Sequence, residues 1–585
     1  MDRNSGISPR SRLVHWFPIL DWLPRYQRTW LRGDFIAALT VVALLVPEGM
    51  AYAVLAGLPP QTAFYVAPVA LLIYAVLGTS RQQIVGVSST VAVMSLATVS
   101  TVATPGSEEF IVLSAALALL VGTFSVLFGI LKLGRVARFF SESVLTGFVT
   151  GLALIIAVRQ MPKILGYEAE AEHFFVRIAE LVVSLPGVHP TTVIVGAGTL
   201  ALMVVLERFY HRIPAALVAL GVSIGISQLL GLESAGVEVV GDIPSGLAPP
   251  VIPDVSLADL SLLAAGALGI TLVVFAEALG PAGSFARRHG YRIDPDRELI
   301  GLGAANIGAG IFQGFSVGAS LSRSAANDAA GARTQMSSVI AAVLVAVVAL
   351  FFTPLFSALP EATLGVIVIM AISRMIKIRE LQRLFAIRKA DFLLGMVALC
   401  GLLLFDVLPG LLIAVVASFL VLIYRASQPR VSVLQGGIEN DEETLVDRER
   451  VLESKPIHGV LIVRPDEGLY FANAGQIREQ ILSLINSEPD ITAVVIDLEL
   501  SSELDVPAAD SLAELHETLQ SRGVRMVLSR VHAEPRAMLK QHGLFDELGE
   551  ASVYRRTLPA AMATLTASRS SVPSNDPGEG GLTMD

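Results

Sequence analysis

The sequence predicts a polytopic α-helical membrane protein with a small soluble α/β domain behind it. Three observations carry this. Of 585 residues, 53% are hydrophobic and only 16% charged, with a mean hydropathy of +0.65, a balance foreign to ordinary soluble domains. Long apolar runs recur from Phe35 to Tyr424. After Arg425 the chain changes to short Val/Ile-rich runs alternating with helix-period stretches.

A bilayer core about 30 Å thick needs roughly 20 apolar residues per helical span. The runs from Ile111, Ser337 and Gly410 are clear cases, and roughly fourteen candidates can be counted, several of them too short or too Gly-rich to cross alone. Residues 1–32 are polar and rich in Arg, Trp and Pro, as expected of a cytoplasmic N-terminal segment rather than a cleavable signal peptide. Residues 33–427 make up the membrane part. Lys and Arg cluster in alternate loops ("RYQRTWLR", "KLGRVAR", "ERFYHR", "ARRHGYRIDPDR", "RMIKIRELQRLFAIRK"), while "TPGSEE", "YEAEAEH" and "LESAGVEVVGD" between them are acidic. The positive-inside rule puts the basic loops and both termini in the cytoplasm. Residues 428–455 read as a polar connector, and 456–568 as an α/β domain long enough to hold its own core. Residues 569–585, rich in Ser, Pro and Gly, read as a disordered tail.

Several function classes are excluded. A net charge of −10, from 42 Lys+Arg against 52 Asp+Glu, offers nothing to displace counterions from nucleic acid. One cysteine, Cys400, rules out a disulfide framework and a multi-thiolate metal site; within "FLLGMVALCGLLLF" it is expected to be a buried, inert thiol. The nine His lack metal-ligand spacing and no phosphate loop is present, so neither metal nor cofactor nor ATP-driven pumping is expected. "GFSVG" matches a hydrolase nucleophile elbow in letters only, since no strand precedes it and no triad partners accompany it, and an enzyme is not expected.

Inverted-repeat transporters hold substrate near the midplane, where broken helices meet. Two pairs of anomalies recur here at nearly the same offset. "VGVSST" (Val85 to Thr90) and "VGASLS" (Val317 to Ser322) lie 232 residues apart, each followed by too few apolar residues to span comfortably. Glu48 in "LLVPEGMAYA" and Glu277 in "TLVVFAEALGPAG" interrupt apolar runs 229 residues apart.

Short helices that start inside the membrane aim unpaired N–H groups and the positive end of the helix dipole into the protein, each terminus contributing about 0.3–1 kcal/mol towards an anion. Ser88, Ser89 and Thr90 from one opening, and Ser320 and Ser322 from the other, are candidate hydroxyl donors. Arg323 follows in "SLSRSAAN"; a cation at that depth requires a partner, and Glu277 is the expected one. Protonating Glu277 would free Arg323 for an anion, which couples proton and anion movement.

Taken together, "VPEGMAYAVLAGLPP", "ALLIYAVLGTSRQ", "ARRHGYRIDPDRELIGLGAANIGAG" and "SLSRSAANDAAGART" resemble the signature segments of the SulP (solute carrier family 26) anion transporters, and "GLYFANA" with "VVIDLELSSELD" resembles the STAS domain that ends them. The resemblance implies fourteen membrane segments in a seven-plus-seven inverted repeat, divided into core and gate domains, usually in a homodimer, with elevator-like alternating access. It adds Glu48, Tyr52 and Leu321 to Ser322 and Arg323 at the anion site and places a carboxylate at Glu277.

Three departures from the family pattern bear on the site. Gly86-Val87 stands where Gly-Pro is common, which would set the start of the first half-helix less rigidly. Ser316 and Ala319 replace Pro and Gly before the second, and the Ala319 methyl would narrow the site. Pro281 stands where sodium-coupled relatives offer a hydroxyl, which favours protons. In the α/β domain, Asp505-Val506-Pro507-Ala508 lacks the hydroxyl that STAS phosphorylation uses. The resulting expectation is a proton-coupled secondary transporter of sulfate, bicarbonate or a dicarboxylate in the cytoplasmic membrane of a bacterium. Anion exchange, sodium-coupled bicarbonate transport and an anion-responsive membrane anchor acting through the STAS domain are the alternatives.

Overall fold

The computed structural model describes residues 16–557 apart from 135–141, 170, 172, 211–213, 374, 406, 440–441, 449–457 and 489. The expected tail, 569–585, lies outside the described residues. The chain divides into two compact units between Ser418 and Phe419.

The first unit is helical. Its first series comprises α1 (Leu31–Leu55), α2 (Thr62–Leu77), strand β1 (Val85–Gly86), α3 (Ser89–Val99), α4 (Glu108–Ile130), α5 (Glu142–Leu165), α6 (Phe174–Ser184), α7 (Pro190–Phe209) and α8 (Ala215–Leu230). A second series follows in the same order: α9 (Leu257–His289), α10 (Pro295–Ile311), β2 (Gly318–Ala319), α11 (Leu321–Ala329), α12 (Met336–Phe351), α13 (Glu361–Ser373), α14 (Ile378–Ile387), α15 (Lys389–Phe405) and α16 (Val407–Ala426). In each series the third helix is short and follows a two-residue strand, and the sixth, α6 or α14, has no buried residue. The short helices start at Ser89 and Leu321, the same 232 residues apart as the Gly/Ser openings. Five helices among the described residues are long and apolar enough to cross a bilayer: Arg28–Leu55, Glu108–Ile130, Ser143–Leu165, Pro190–Phe209 and Leu257–His289.

Local chemistry sets the helix ends. Ser107 caps α4 by accepting from Phe110 N at 3.1 Å, with Glu108 and Glu109 in the first turn, where the helix dipole favours acids. Ser256 caps α9, which closes with Arg287, Arg288 and His289 before Gly290 at φ 68°. Between α4 and α10 the backbones nearly touch: a β-carbon on Gly122 would stand 2.6 Å from Gly303 O. Such close approach is how helices associate where hydrophobic contrast is absent. Cys400 corrects its expectation, being exposed on α15, on the outside of the bundle, where an apolar environment would come from lipid rather than from a core.

The second unit carries a six-stranded sheet of order β4-β3-β5-β6-β7-β8: β3 (Val431–Glu439), β4 (Glu442–Asp447), β5 (Val460–Pro465), β6 (Ala493–Asp497), β7 (Arg525–Ser529) and β8 (Val553–Tyr554). β5 to β8 run parallel and β3 pairs antiparallel with both β4 and β5. The stretch expected as a polar connector thus supplies two strands. Helices α17 (Ala474–Ser487), α18 (Val506–Ser521) and α19 (Ala533–His542) complete the unit, and Ile477, Ile481, Leu512, Leu515 and Leu539 join Leu461, Val463, Val494, Ile496 and Met526 in one core. Alternate strand residues form a second cluster, Val460, Ile462, Val495 and Val527, as a period of two demands. Asp505, the expected absence of a phosphorylation site aside, is a cap: it accepts from Ala508 N at 3.0 Å and Phe471 N at 2.8 Å.

Candidate anion site

The site is built from the loop before β1 upward. Glu298 of α10 is fully buried and accepts from Tyr74 Oη at 2.6 Å, Thr79 N at 2.7 Å and Ser80 N at 3.0 Å, and also from the Thr79 hydroxyl. Tyr291 receives Arg81 N at 3.1 Å and donates to Gln82 Oε1 at 2.8 Å; burial pushes its phenol above the usual range, so it stays a neutral donor. Asn327 donates to Gln82 O at 3.0 Å, and Ser324 Oγ accepts from Ile84 N at 2.9 Å. Asn306 does the same for the second series, accepting from Val317 N and donating to Val317 O, both at 2.9 Å. Asn306 and Asn327 lie in Gly/Ala-rich stretches, where an isolated Asn is the available signal, whereas Tyr291 and Glu298 stand within or directly behind the charged segment "RRHGYRIDPDR", which hides them.

Held this way, β1 and β2 pair antiparallel, Val85 with Ala319 and Gly86 with Gly318. The ladder fixes the start of α3 without the proline, and it uses Ala319 as a strand residue. Ser88 is the N-cap position of α3, and its side chain makes no cap hydrogen bond. Ser320 caps α11, accepting from Arg323 N at 3.4 Å, with Ser322 Oγ 3.3 Å from Ser320 Oγ. Leu321 and Ser322 are exposed. Ser316 is fully buried, its hydroxyl without a partner among the described residues. On α1, Leu45 and Gly49 lie against Gly86 and Val87, placing half-buried Glu48 beside the start of α3, with Tyr52 buried one turn on.

Arg323 is the centre of the site. It is 0% exposed, its Nη2 donates to the carbonyl of Val87 just before α3, and its Nε and Nη1 have no partner among the described residues. Glu277 is elsewhere engaged: its Oε1 accepts from Thr90 Oγ1 at 2.8 Å. The expected Glu277–Arg323 ion pair is therefore corrected. A backbone carbonyl from the opposite repeat takes the guanidinium, and a hydroxyl takes the carboxylate. Two consecutive α3 residues are accounted for by side-chain contacts, Thr90 to Glu277 and Ser89 to Met375 Sδ at 3.2 Å. No cluster of metal ligands occurs among the described residues.

A buried guanidinium with spare donors, set between the starts of two opposed short helices, has the chemistry of an anion receptor inside a polytopic helical membrane protein. The sequence matches the sulfate permease family model over residues 31–398 and the STAS domain model over 452–558. A probable sulfate transporter of Mycobacterium tuberculosis is 36% identical over 555 residues, covering 95% of this chain and 99% of that protein. Solute carrier family 26 member 6 of Homo sapiens is 32% identical over 488 residues, covering 79% and 64%. Among solved structures, the murine solute carrier 26 family member A9 anion transporter in its inward-facing state aligns with a TM-score of 0.88 at 23% identity, over 97% of this chain and 96% of that one. The transmembrane domain of a cyanobacterial bicarbonate transporter, BicA, aligns with a TM-score of 0.60 at 22% identity, over 67% and 98%. The chain belongs to the sulfate permease family, SulP or solute carrier family 26, with a C-terminal STAS domain.

Proposed function

We propose that this protein is a proton-coupled secondary transporter of a small oxyanion, sulfate foremost, in the cytoplasmic membrane of a bacterium. The observation that carries the reading is Arg323: a fully buried cation with two unpartnered N–H groups at the meeting point of α3 and α11. A charge so placed is costly unless an anion completes it. Sulfate is preferred over bicarbonate or a dicarboxylate because the relative at 36% identity is named for sulfate.

The Thr90–Glu277 hydrogen bond supports the proton. While Glu277 is ionised it holds the Thr90 hydroxyl proton; once protonated it can donate to Thr90 Oγ1 instead, and that hydroxyl turns to the anion at the α3 terminus. Proton and anion then favour one another's binding, and the coupling is reciprocal. The residues assigned to the anion are Arg323, Ser88, Ser89, Thr90, Ser320, Leu321 and Ser322, with Glu48 and Tyr52 from α1 and Glu277 for the proton. Basic loops on the side of both termini, and of the STAS domain, support a cytoplasmic location for these; the family resemblance supports a homodimer and elevator-type access.

The test is uptake into proteoliposomes of labelled sulfate, bicarbonate and fumarate, with and without an inward proton gradient. Gradient-driven sulfate uptake into vesicles lacking internal anion is expected. Uptake that requires an internal anion makes the protein an exchanger, and binding without flux makes it a sensor.

A further inference from the structure

The turn between α13 and α14 reaches the anion site from outside the helices that build it. Met375 closes the end of α13, its N–H bonded to Ile372 O at 2.8 Å, and its thioether receives the hydroxyl of Ser89 at 3.2 Å. Ser89 is the first residue of α3, so the thioether lies over the terminus that faces the anion. Two residues on, the backbone N–H of Lys377 is held by the Thr150 hydroxyl of α5 at 3.4 Å. α14 then sets Leu381 against Gly395 of α15. The turn is thus anchored on α5, α13 and α15, while its described polar contact with α3 is through Ser89.

The quality of this contact differs from that of the joints around it. A thioether is a weak acceptor. By contrast, the loop before β1 is held by a buried carboxylate with four donors, and α4 meets α10 at glycine-lined backbone. Contacts of the first kind can be broken and remade at little cost.

We propose that Met375 is a lid on the anion site: it covers Ser89 and the α3 terminus while the turn lies against them, and the anion passes when the two part. This rests on the anion-site reading and goes beyond it by naming the side chain that covers the site.

The test uses full-length protein carrying Cys400→Ser, with Ser89→Cys and Met375→Cys added, reconstituted in liposomes. Oxidation is expected to bridge the pair and stop labelled sulfate uptake, and dithiothreitol to restore the rate of the reduced double variant. A bridged protein that takes up sulfate at the reduced rate overturns the lid. If the Cys400→Ser protein itself moves no sulfate, the transport reading fails on its own; in that case, and where the reduced double variant moves none because Ser89 serves the anion or where the shorter cysteines do not bridge, a labelling experiment decides the lid. In the Ser89→Cys protein, adding Met375→Ala should raise the rate of modification by an anionic methanethiosulfonate about tenfold, the factor for a site covered roughly nine-tenths of the time. An unchanged rate overturns the proposal without reference to transport.

Discussion

Thr90 on α3 and Glu277 on α9 share a hydrogen bond of 2.8 Å, so the half-helix that faces the anion and the carboxylate assigned to the proton are joined directly. Glu277→Gln keeps an oxygen acceptor for Thr90 but cannot ionise. Sulfate uptake by this variant is expected to lose its response to an imposed pH gradient. Retention of the full response in proteoliposomes would remove Glu277 from the coupling. Thr90→Val, which deletes the hydroxyl and keeps the shape, should weaken apparent sulfate affinity by about tenfold, the lower end for a hydrogen bond to a charged group.

Arg323→Met separates a ligand-binding cation from a structural one. Replacing a buried guanidinium that has two unpartnered N–H groups by an apolar side chain of similar length removes the cost of holding that charge out of water. The variant should therefore unfold at an equal or higher temperature than the parent, while sulfate no longer raises that temperature and uptake is lost. A large drop in the melting temperature would instead assign Arg323 to holding α11 against Val87.

Glu298→Ala strips the acceptor from Tyr74, Thr79 and Ser80. Each buried donor left unsatisfied costs about 1–3 kcal/mol, so this variant should be among the least stable single substitutions in the membrane unit. Amide exchange would show it first in residues 78–84, ahead of β1. Protection there equal to the parent's would mean that the loop is held by Asn327, Ser324 and Gln335 alone.

In the sheet unit, Arg530 stands at φ 54°, its Nε 2.9 Å from Asp497 Oδ1, its Nη2 on the other carboxylate oxygen and its Nη1 2.8 Å from Glu499. Asp497 is fully buried. Arg530→Met leaves that carboxylate unpaired, at a cost of about 3–5 kcal/mol, and should speed amide exchange in β6 and β7 of the full-length protein. The hydrogen bonds that Arg530 donates to Asp497 raise its pKa above the ordinary value. This stabilisation is complete below that ordinary value and is lost only as pH rises through the raised one. The pair is therefore expected to give no pH dependence of unfolding near neutrality.

The half-helices were legible in the sequence because the Gly/Ser openings recur at one offset and apolar length fails after each. Duplication leaves that kind of mark. The partners of Arg323 were not legible, since nothing in a one-dimensional pattern distinguishes the Glu277 carboxylate from a main-chain carbonyl at Val87. β3 and β4 read as connector because Gly436, Gly437 and a run of acids dilute the alternation that marks a strand, and their register comes from pairing with β5. Cys400 misled for a related reason: hydrophobicity marks a helix as membrane-embedded but does not say which of its faces meets protein and which meets lipid. Met375 gave no signal at all, being one more apolar residue at the end of an apolar helix.

The antiparallel pairing of Val85 with Ala319 and Gly86 with Gly318 limits how the binding site can work. A receptor whose two jaws are stitched together by main-chain hydrogen bonds does not release its guest by spreading them. On the transport reading proposed above, it would be shifted whole, or have a wall withdrawn from one side and then the other. Cargo and cradle would then travel as a single piece, and the energetic barrier to transport would lie along the surface where that piece slides.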